Sequence, residues 1–598
     1  FHRLGLFSVS VDVKPGEDAD AVSRRLDQLI ADYVASGPSE DEIARTVTTD
    51  ISQTIQALEP VGGFGGKSVV LAEGELYSDD PGFYRTHLQN LGAVTPASVQ
   101  AAMQTWLTRP VVAVRVDPGE REPYQEAAAN RPPPAEAEAL PVTPREPMPG
   151  VGEMKPLDFP DVERARLANG MEVIYARSTT VPTTRLALEF DAGTAADPAS
   201  APGTQRLMLD LLTEGAGDLT AVQIAEQEER LGASINAFAT TDRTVVGLTT
   251  VTANLEPALD LMLDVVRDPA FREADLTRRR NQQLALIAQE LASPNGLGGR
   301  ALPAVLFGDQ HPYGRLGLGL GRTEAVSALN RDDLTAFHQA WIRPDNAQLF
   351  VVSDRPLAEL VPLLDARFGT WATPDAPKGT KAFDAAIPEV APRVVLIDRP
   401  QSPQSLILGG LVLPVTGAED RVVFNAANEA IGSVFLSRIN QDIRETRGWS
   451  YGLGGAAQNL EHQVHYQIQA PVQADRTGES IQVLMDQYAG FLSERGVTPV
   501  ERERIVNANI RQIPGQFESS AAVLNALRTN ALFDRPDDYW ETLGSRYAEL
   551  TPQQLDAEAR RLLGQGQFVW VVVGDAAVVR PQLEALGLPV EERAAGSL

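Results

Sequence analysis

The sequence predicts an α+β architecture of tandem repeated domains, each a mixed, largely antiparallel sheet with helices packed on one face. Three observations predict it. A helix–helix–strand ending recurs three times along the 598 residues. Two linkers rich in proline and alanine separate the copies. Each linker is followed by a strand-forming run, "RARLANGMEVIYAR" in one case and "RVVLID" in the other. Recurrence at a long, fixed spacing is the mark of a duplicated folding unit.

Taken in order, the chain opens on "FHRLGLFSVSVDV", where apolar residues alternate as in a strand already under way. Its first residue therefore reads as an internal position of a longer product. A helix is predicted through "DAVSRRLDQLIADY". "VGGFGGKS" (61–68) has the outline of a phosphate loop, but Val61 stands where the pattern needs glycine and no strand precedes it, so it reads as a turn between helices. The first copy of the ending follows at 78–119, with Thr95-Pro96 as a helix start: the threonine caps and the proline fits the first helical turn. The second copy, 327–354, has Asn330 in the capping place, and the third, 533–576, has Thr551-Pro552. The last two lie about 220 residues apart, whereas the first has too little chain before it for a full domain. The predicted organisation is a domain remnant over 1–117, a linker over 118–157, a domain over 158–372, a second linker over 373–392, and a last domain over 393–598. Asn169-Gly170 predicts a hairpin turn at the start of the middle domain.

Composition narrows function. With 52 basic against 80 acidic residues the formal charge is −28, which opposes a nucleic-acid partner. There is no cysteine, which removes disulfides, thiolate nucleophiles and thiolate-held metals. No apolar run is long enough to predict a membrane span. An acidic, cysteine-free chain rich in alanine and proline suits a bacterial periplasm or cell envelope.

One corner stands out. In "SRINQDIRETRGWSYGLGG" (437–455), Leu436, Ile439 and Ile443 fall at helical spacing and are expected in a core, while Arg447-Gly448 marks the helix end. Arg444 and Tyr451 are left pointing off that corner. In "EHQVH" (461–465), His462 and His465 sit on what reads as a strand, facing opposite sides, which opposes a shared metal. His311 in "HPYG" reads as structural.

The stretches "DAGTAADPASAPGTQRLMLDLLTEGAG", "RLGASINAFATTDRTVV", "HPYGRLGLGLGRTEAVSALNRDDLTAFHQAWIRPDNAQLFVVSD" and the 437–455 corner together resemble the insulinase/pitrilysin family of zinc metallopeptidases, in its mitochondrial processing-peptidase-like form. The resemblance implies a processing-peptidase-like fold in which two modules of two domains close like a clamshell on an extended peptide. It makes 1–117 the remnant of the second domain, 158–372 the third and 393–598 the fourth. It implies zinc held by H-x-x-E-H on a helix, with a glutamate further along as third ligand. Here those five positions are Arg206, Leu207, Met208, Leu209 and Asp210, and the third-ligand region offers Leu286 and Ile287. The resemblance therefore implies no catalytic residue and no metal in this chain, with the zinc site upstream in the full-length protein. It also implies substrate binding by Arg444 and Tyr451, which match the family's Arg-x6-Tyr pair. Two side-chain donors of that kind suit a peptide carbonyl as it becomes an oxyanion. The plainer expectation is that Arg444 pairs with Glu445 or an aspartate and that Tyr451 packs on the sheet. The implied partners are a peptide or polypeptide substrate and an N-terminal zinc-bearing module or subunit. The alternative is a non-catalytic scaffold subunit beside a separate zinc-bearing one.

Overall fold

The computed structural model describes residues 5–117, 119, 156–315, 317, 319–564 and 566–597. The expected linker over 118–157 therefore lies almost wholly outside the described residues. The chain divides into two units, Phe1–Ile43 with Val94–Lys155, and Ala44–Ala93 with Pro156–Leu598.

The first helices are α1 (Ala19–Ser36), α2 (Glu40–Ala57), α3 (Lys67–Ser78), α4 (Phe83–Gly92) and α5 (Pro96–Trp106). The first unit is built on α1 and α5. Asp18 caps α1 by accepting from the amides of Asp20 and Ala21. Thr95 caps α5 in a reciprocal box with Ser98, as the Thr-Pro signal predicts. The Gln100 side chain ties the pair by donating to the Ala35 carbonyl at 2.8 Å. The strands expected at 1–13 and at the end of the first repeat are not formed: described residues 5–14 and 110–117 join no ladder. A strand needs a neighbour to satisfy its amides, and among the described residues of this unit none supplies one.

In the second unit, the glycine-rich run forms the turn between α2 and α3 that the sequence predicts. Its closure needs glycine, since a Cβ on Gly66 would lie 2.0 Å from the Gly62 carbonyl oxygen. The first sheet comprises β1 (Val162–Arg166), β2 (Glu172–Arg177), β3 (Thr183–Phe190), β6 (Ser234–Ala239), β7 (Thr244–Val251) and β8 (Ala347–Ser353), with the small hairpin β4 (Gly215–Ala216) and β5 (Leu219–Thr220) set apart. Its order is β1-β2-β8-β3-β7-β6, antiparallel but for the β2–β8 pair. Gly170, at φ +88°, turns β1 into β2. One face carries α6 (Thr204–Leu212), α7 (Ala221–Leu231), α8 (Leu255–Arg267), α12 (Arg331–Trp341) and α13 (Leu357–Leu364) around Leu188, Met208, Met262 and Leu334. Between them in sequence run α9 (Glu273–Ala292), α10 (Pro294–Phe307) and α11 (Thr323–Ala328).

The second sheet comprises β9 (Val394–Asp398), β10 (Gln404–Val412), β11 (Gly454–Ala457), β12 (His465–Gln473), β13 (Val569–Gly574) and β14 (Val590–Arg593). Its order, β11-β12-β10-β13-β9-β14, repeats five strands of the first read from the opposite edge, with β9 parallel to β13; the sixth differs, since β14 is parallel to β9 where β1 is antiparallel to β2. Its helices are α14 (Val422–Ile431), α15 (Arg438–Asn440), α16 (Thr477–Leu492), α17 (Pro499–Gln516), α18 (Ser520–Leu532), α19 (Tyr539–Ala548), α20 (Pro552–Leu563) and α21 (Ala576–Glu584).

Each sheet carries its main set of helices on one face, as expected, and an exchange covers the other. Leu302 and Leu306 of α10 pack on the back of the second sheet against Leu408 and Val571. Val523 and Leu527 of α18 pack on the back of the first against Ala187 and Phe350. Each sheet is thus covered on both faces, which accounts for the near-continuous burial of β3 and β10.

Candidate functional site

The corner at 437–455 is built as a helix that widens before it stops. α15 runs straight into a π-type turn over Gln441–Thr446, and Gly448 at φ +67° ends it by donating to the Arg444 carbonyl. Ile439 and Ile443 are fully buried, as their spacing predicts. Leu436 is not: it is 52% exposed, because it precedes the first helical turn and the helical period does not reach it.

Arg444 lays its guanidinium over the Phe435 ring, 4.5 Å from the centroid, with Glu445 3.5 Å away. Tyr451 is 89% exposed, and its hydroxyl has no hydrogen-bond partner among the described residues. The backbone carrying them is held firmly. Ser450 Oγ donates to the Pro471 carbonyl at 2.6 Å, and the Asn440 side chain donates to the Phe435 carbonyl at 2.7 Å. Beneath lies a buried phenol pair: the Tyr466 hydroxyl reaches Asn428 at 2.6 Å and Tyr488 at 2.7 Å, and Asn428 donates to the Gly455 carbonyl. Arg447 is occupied by Asp442 at 2.6 Å and stacks on Trp449, a helix-end role.

On α6, the two positions where the family motif has histidines are joined to each other. Arg206 Nε lies 2.8 Å from Asp210 Oδ2, one helical turn on. Leu209 is buried among core residues, and Ile287 is buried in a small apolar cluster with Leu320 and Val326. An ion pair and two aliphatic side chains do not fit a zinc ion, which needs three or four N, O or S donors with free lone pairs. The helix itself is started by the Asp197 carboxylate, which accepts from the amides of Gly203 at 2.6 Å and Gln205 at 2.8 Å.

Sequence reasoning missed a charged cluster joining the two sheet-bearing halves. Arg243, on the turn between β6 and β7, grips Glu461 through two bonds of 2.6 and 2.9 Å and reaches Asp191 at 2.9 Å. Lys381 from the second linker pairs with Asp191, and Tyr313 donates to Asp242 at 2.7 Å. Burial and that carboxylate push the Tyr313 phenol well up. His462 stacks on Phe383 with centroids 3.7 Å apart. It lies in a bend before β12 rather than on a strand, so the expected strand over 461–465 begins only at His465. Asp242, Glu461 and His462 bring potential ligand atoms within 4.8 Å of one another. The two carboxylates are already engaged, Glu461 by Arg243 and Asp242 by Tyr313 and the Glu461 amide at 3.0 Å, so the group reads as an interdomain joint. His311 is structural, accepting from the Tyr313 amide and stacking on Phe307.

Comparison with known proteins bears on this geometry. Residues 172–302 match the family model described as Insulinase (Peptidase family M16), and 328–509 match Peptidase M16 inactive domain. The chain belongs to the M16 insulinase family. Among its M16 relatives, an uncharacterized zinc protease of Mycobacterium leprae is 26% identical over 418 residues, covering 70% of this chain and 92% of the relative. A namesake from Mycobacterium tuberculosis is 25% identical over 438 residues, covering 72% and 96%. Of M16-type folds, the inactive domain from Pseudomonas fluorescens superposes with a TM-score of 0.63 at 24% identity, over 69% of this chain and 98% of that one. The periplasmic protease PqqL from Escherichia coli superposes with a TM-score of 0.58 at 14% identity, over 81% of this chain and 52% of that one. No described helix is long and apolar enough to cross a membrane.

Proposed function

We propose that this chain is the substrate-gripping, metal-free part of a zinc-dependent metalloendopeptidase that hydrolyses peptides or unfolded polypeptides in a clamshell chamber. The observation that carries the reading is the corner itself: it presents a phenol to solvent with its donor unspent, and carries seven residues earlier a guanidinium whose polar neighbour is one exposed glutamate. Both groups donate; the phenol is unspent, and the guanidinium's polar contact is an exposed ion pair with Glu445 that a substrate carbonyl can displace. A peptide carbonyl that gains negative charge becomes a better acceptor for each, so both contacts strengthen as the bond is attacked. The anchored backbone beneath them keeps the donors in place at little entropic cost. Cleavage chemistry belongs to the zinc-bearing module of that reading; the residues here bind and orient. A bacterial periplasmic or envelope setting is part of the proposal and is tested by cell fractionation.

The test is turnover of a labelled unfolded polypeptide by this chain combined with a zinc-bearing M16 module. Arg444→Ala and Tyr451→Phe are each expected to lower kcat/KM by about tenfold or more, the loss of one hydrogen bond in the transition state, with zinc content unchanged. Unaltered turnover removes the assignment. A second reading, a binding or scaffold subunit that takes no part in cleavage, is favoured by the Arg206–Asp210 pair and by the match to an inactive-domain model. It predicts polypeptide binding without any rise in hydrolysis when the zinc-bearing module is added.

A further inference from the structure

Two arginines beside the second sheet have no counter-charge. Arg421 precedes α14 and is 3% exposed, and Arg535, on the turn between α18 and α19, is half-buried. Arg243, Arg300, Arg343 and Arg528 are also drawn into the interior, and each holds a carboxylate: Glu461, Glu290, Asp345 and Glu189. Arg421 instead donates to the Gln458 carbonyl at 3.1 Å and to the Asn459 side chain at 3.2 Å, while its buried Nε has no partner. Arg535 lays its guanidinium on aromatic faces, 4.4 Å from the Tyr539 centroid and 5.1 Å from that of Phe533. Arg421 reaches the same Phe533 ring at 5.9 Å. Asp420, next to Arg421 in sequence, is taken by Arg546 and by the Val422 amide. Among the described residues no carboxylate acts on either arginine.

An unpaired charge drawn out of water is costly, and two of one sign repel as well. Burial, and after it the charge of Arg535, hold the Arg421 guanidinium below its ordinary value; burial does the same to Arg535. Burial pushes the Tyr539 phenol up while both arginines pull it back, so its oxygen sits in the field of the two. In a chain of formal charge −28 this is no by-product of excess base. The two cations and the phenol are donors toward an anion. A carboxylate brings one charge and a flat pair of oxygens, which matches a single free guanidinium fork beside a hydroxyl.

We propose that Arg535 and Tyr539, with Arg421 as a fixed second charge, form a binding site for a carboxylate, carried by a peptide C-terminus or by a small organic acid. The Arg535 guanidinium donates to the carboxylate oxygens and the Tyr539 hydroxyl to one of them. Arg421, its terminal nitrogens already spent, adds attraction rather than a hydrogen bond. The site shares no residue with the Arg444 and Tyr451 corner and does not rest on the peptidase reading.

Ligand-observed NMR titration of the full 598-residue chain at low salt tests it. The probes are N-acetyl-trialanine, its C-terminal amide, and acetate. The corner takes peptide carbonyls, which acid and amide share, so the difference between them reports this site alone. The acid is expected to bind about tenfold or more tightly than the amide. Arg535→Gln should erase that preference. Tyr539→Phe keeps the ring on which Arg535 stacks and should cut the preference about threefold or more. Acetate as strong as the peptide acid supports a site for small organic acids; a stronger peptide acid supports a peptide end. Acid and amide binding alike in the native chain overturns the proposal. So does a preference left intact by Arg535→Gln or, should that variant not fold, by Tyr539→Phe, since stacking alone then accounts for Arg535.

Discussion

Arg243→Met is expected to loosen the joint between the two sheet-bearing halves. The guanidinium is 14% exposed and meets three carboxylates. Their losses differ. Glu189 keeps Arg528 at 2.6 Å, and Asp191 keeps Lys381. Glu461 loses its two-bond partner and, among the described residues, retains as an ionisable neighbour within 4 Å only His462, 3.7 Å away. Breaking a fully buried pair by removing one member costs about 3–5 kcal/mol. Glu461 is a quarter exposed, so water recovers part of that, and about 2–3 kcal/mol is the expected cost. The assay is native-state hydrogen exchange at the 240–244 turn and at 458–464, where the opening free energy should fall by that amount. The second arm is Arg243→Met with Glu461→Gln, which removes the stranded charge and should recover more than half the loss. A single-variant loss below about 0.5 kcal/mol, or strict additivity in the double variant, would refute the assignment of Glu461 as the group that Arg243 neutralises.

The His465 imidazole is held down to about 4 by burial, whereas an unfolded histidine titrates near its ordinary 6.5. The unfolded chain therefore takes the proton first, and stability is lost as pH falls from 6.5 toward 4. Between pH 7 and 5 the loss from this residue is about 2 kcal/mol, and His465→Leu should remove that share from the pH dependence of urea unfolding. Asn330 caps α12 by accepting from the amides of Asp332 and Asp333, so Asn330→Ala should cost about 1 kcal/mol and Asn330→Asp little, measured by exchange at the helix start. The combined change Arg206→His, Leu209→Glu, Asp210→His and Leu286→Glu, which supplies both histidines and a carboxylate in the third-ligand region, should create zinc binding detectable by competition with a chromogenic chelator. Equal binding by the unaltered chain would contradict the exclusion of zinc from α6.

Much of the fold was legible because its signals are local. Thr95-Pro96, Asn330 and Thr551-Pro552 each cap a helix with the reciprocal bond their spacing predicts. Asn169-Gly170 turns a hairpin, and alternating or continuous apolar runs became strands wherever a neighbour was present. The failures have physical causes. Residues 5–13 and 111–117 have strand-like patterns, but pattern sets only which face is apolar; a ladder needs a second chain segment. Leu436 has the right spacing but lies outside the helix that gives spacing its meaning. The α10 and α18 exchange and the Arg243–Glu461 grip join residues far apart in sequence, and nothing in either local pattern announces a partner. At the candidate site the helix end at Arg447-Gly448 was readable, while Phe435 beneath the guanidinium and the phenol pair under β11 are contacts no local pattern announces.

The most direct measurement is a fluorescence-polarisation titration of a labelled unfolded polypeptide against the purified chain, with and without a zinc chelator, for the native protein and Tyr451→Phe. A metal-free gripping surface predicts an affinity that the chelator leaves untouched and that the lost hydroxyl weakens by about fivefold to tenfold. Binding that vanishes with the chelator, or that ignores the substitution, would contradict it.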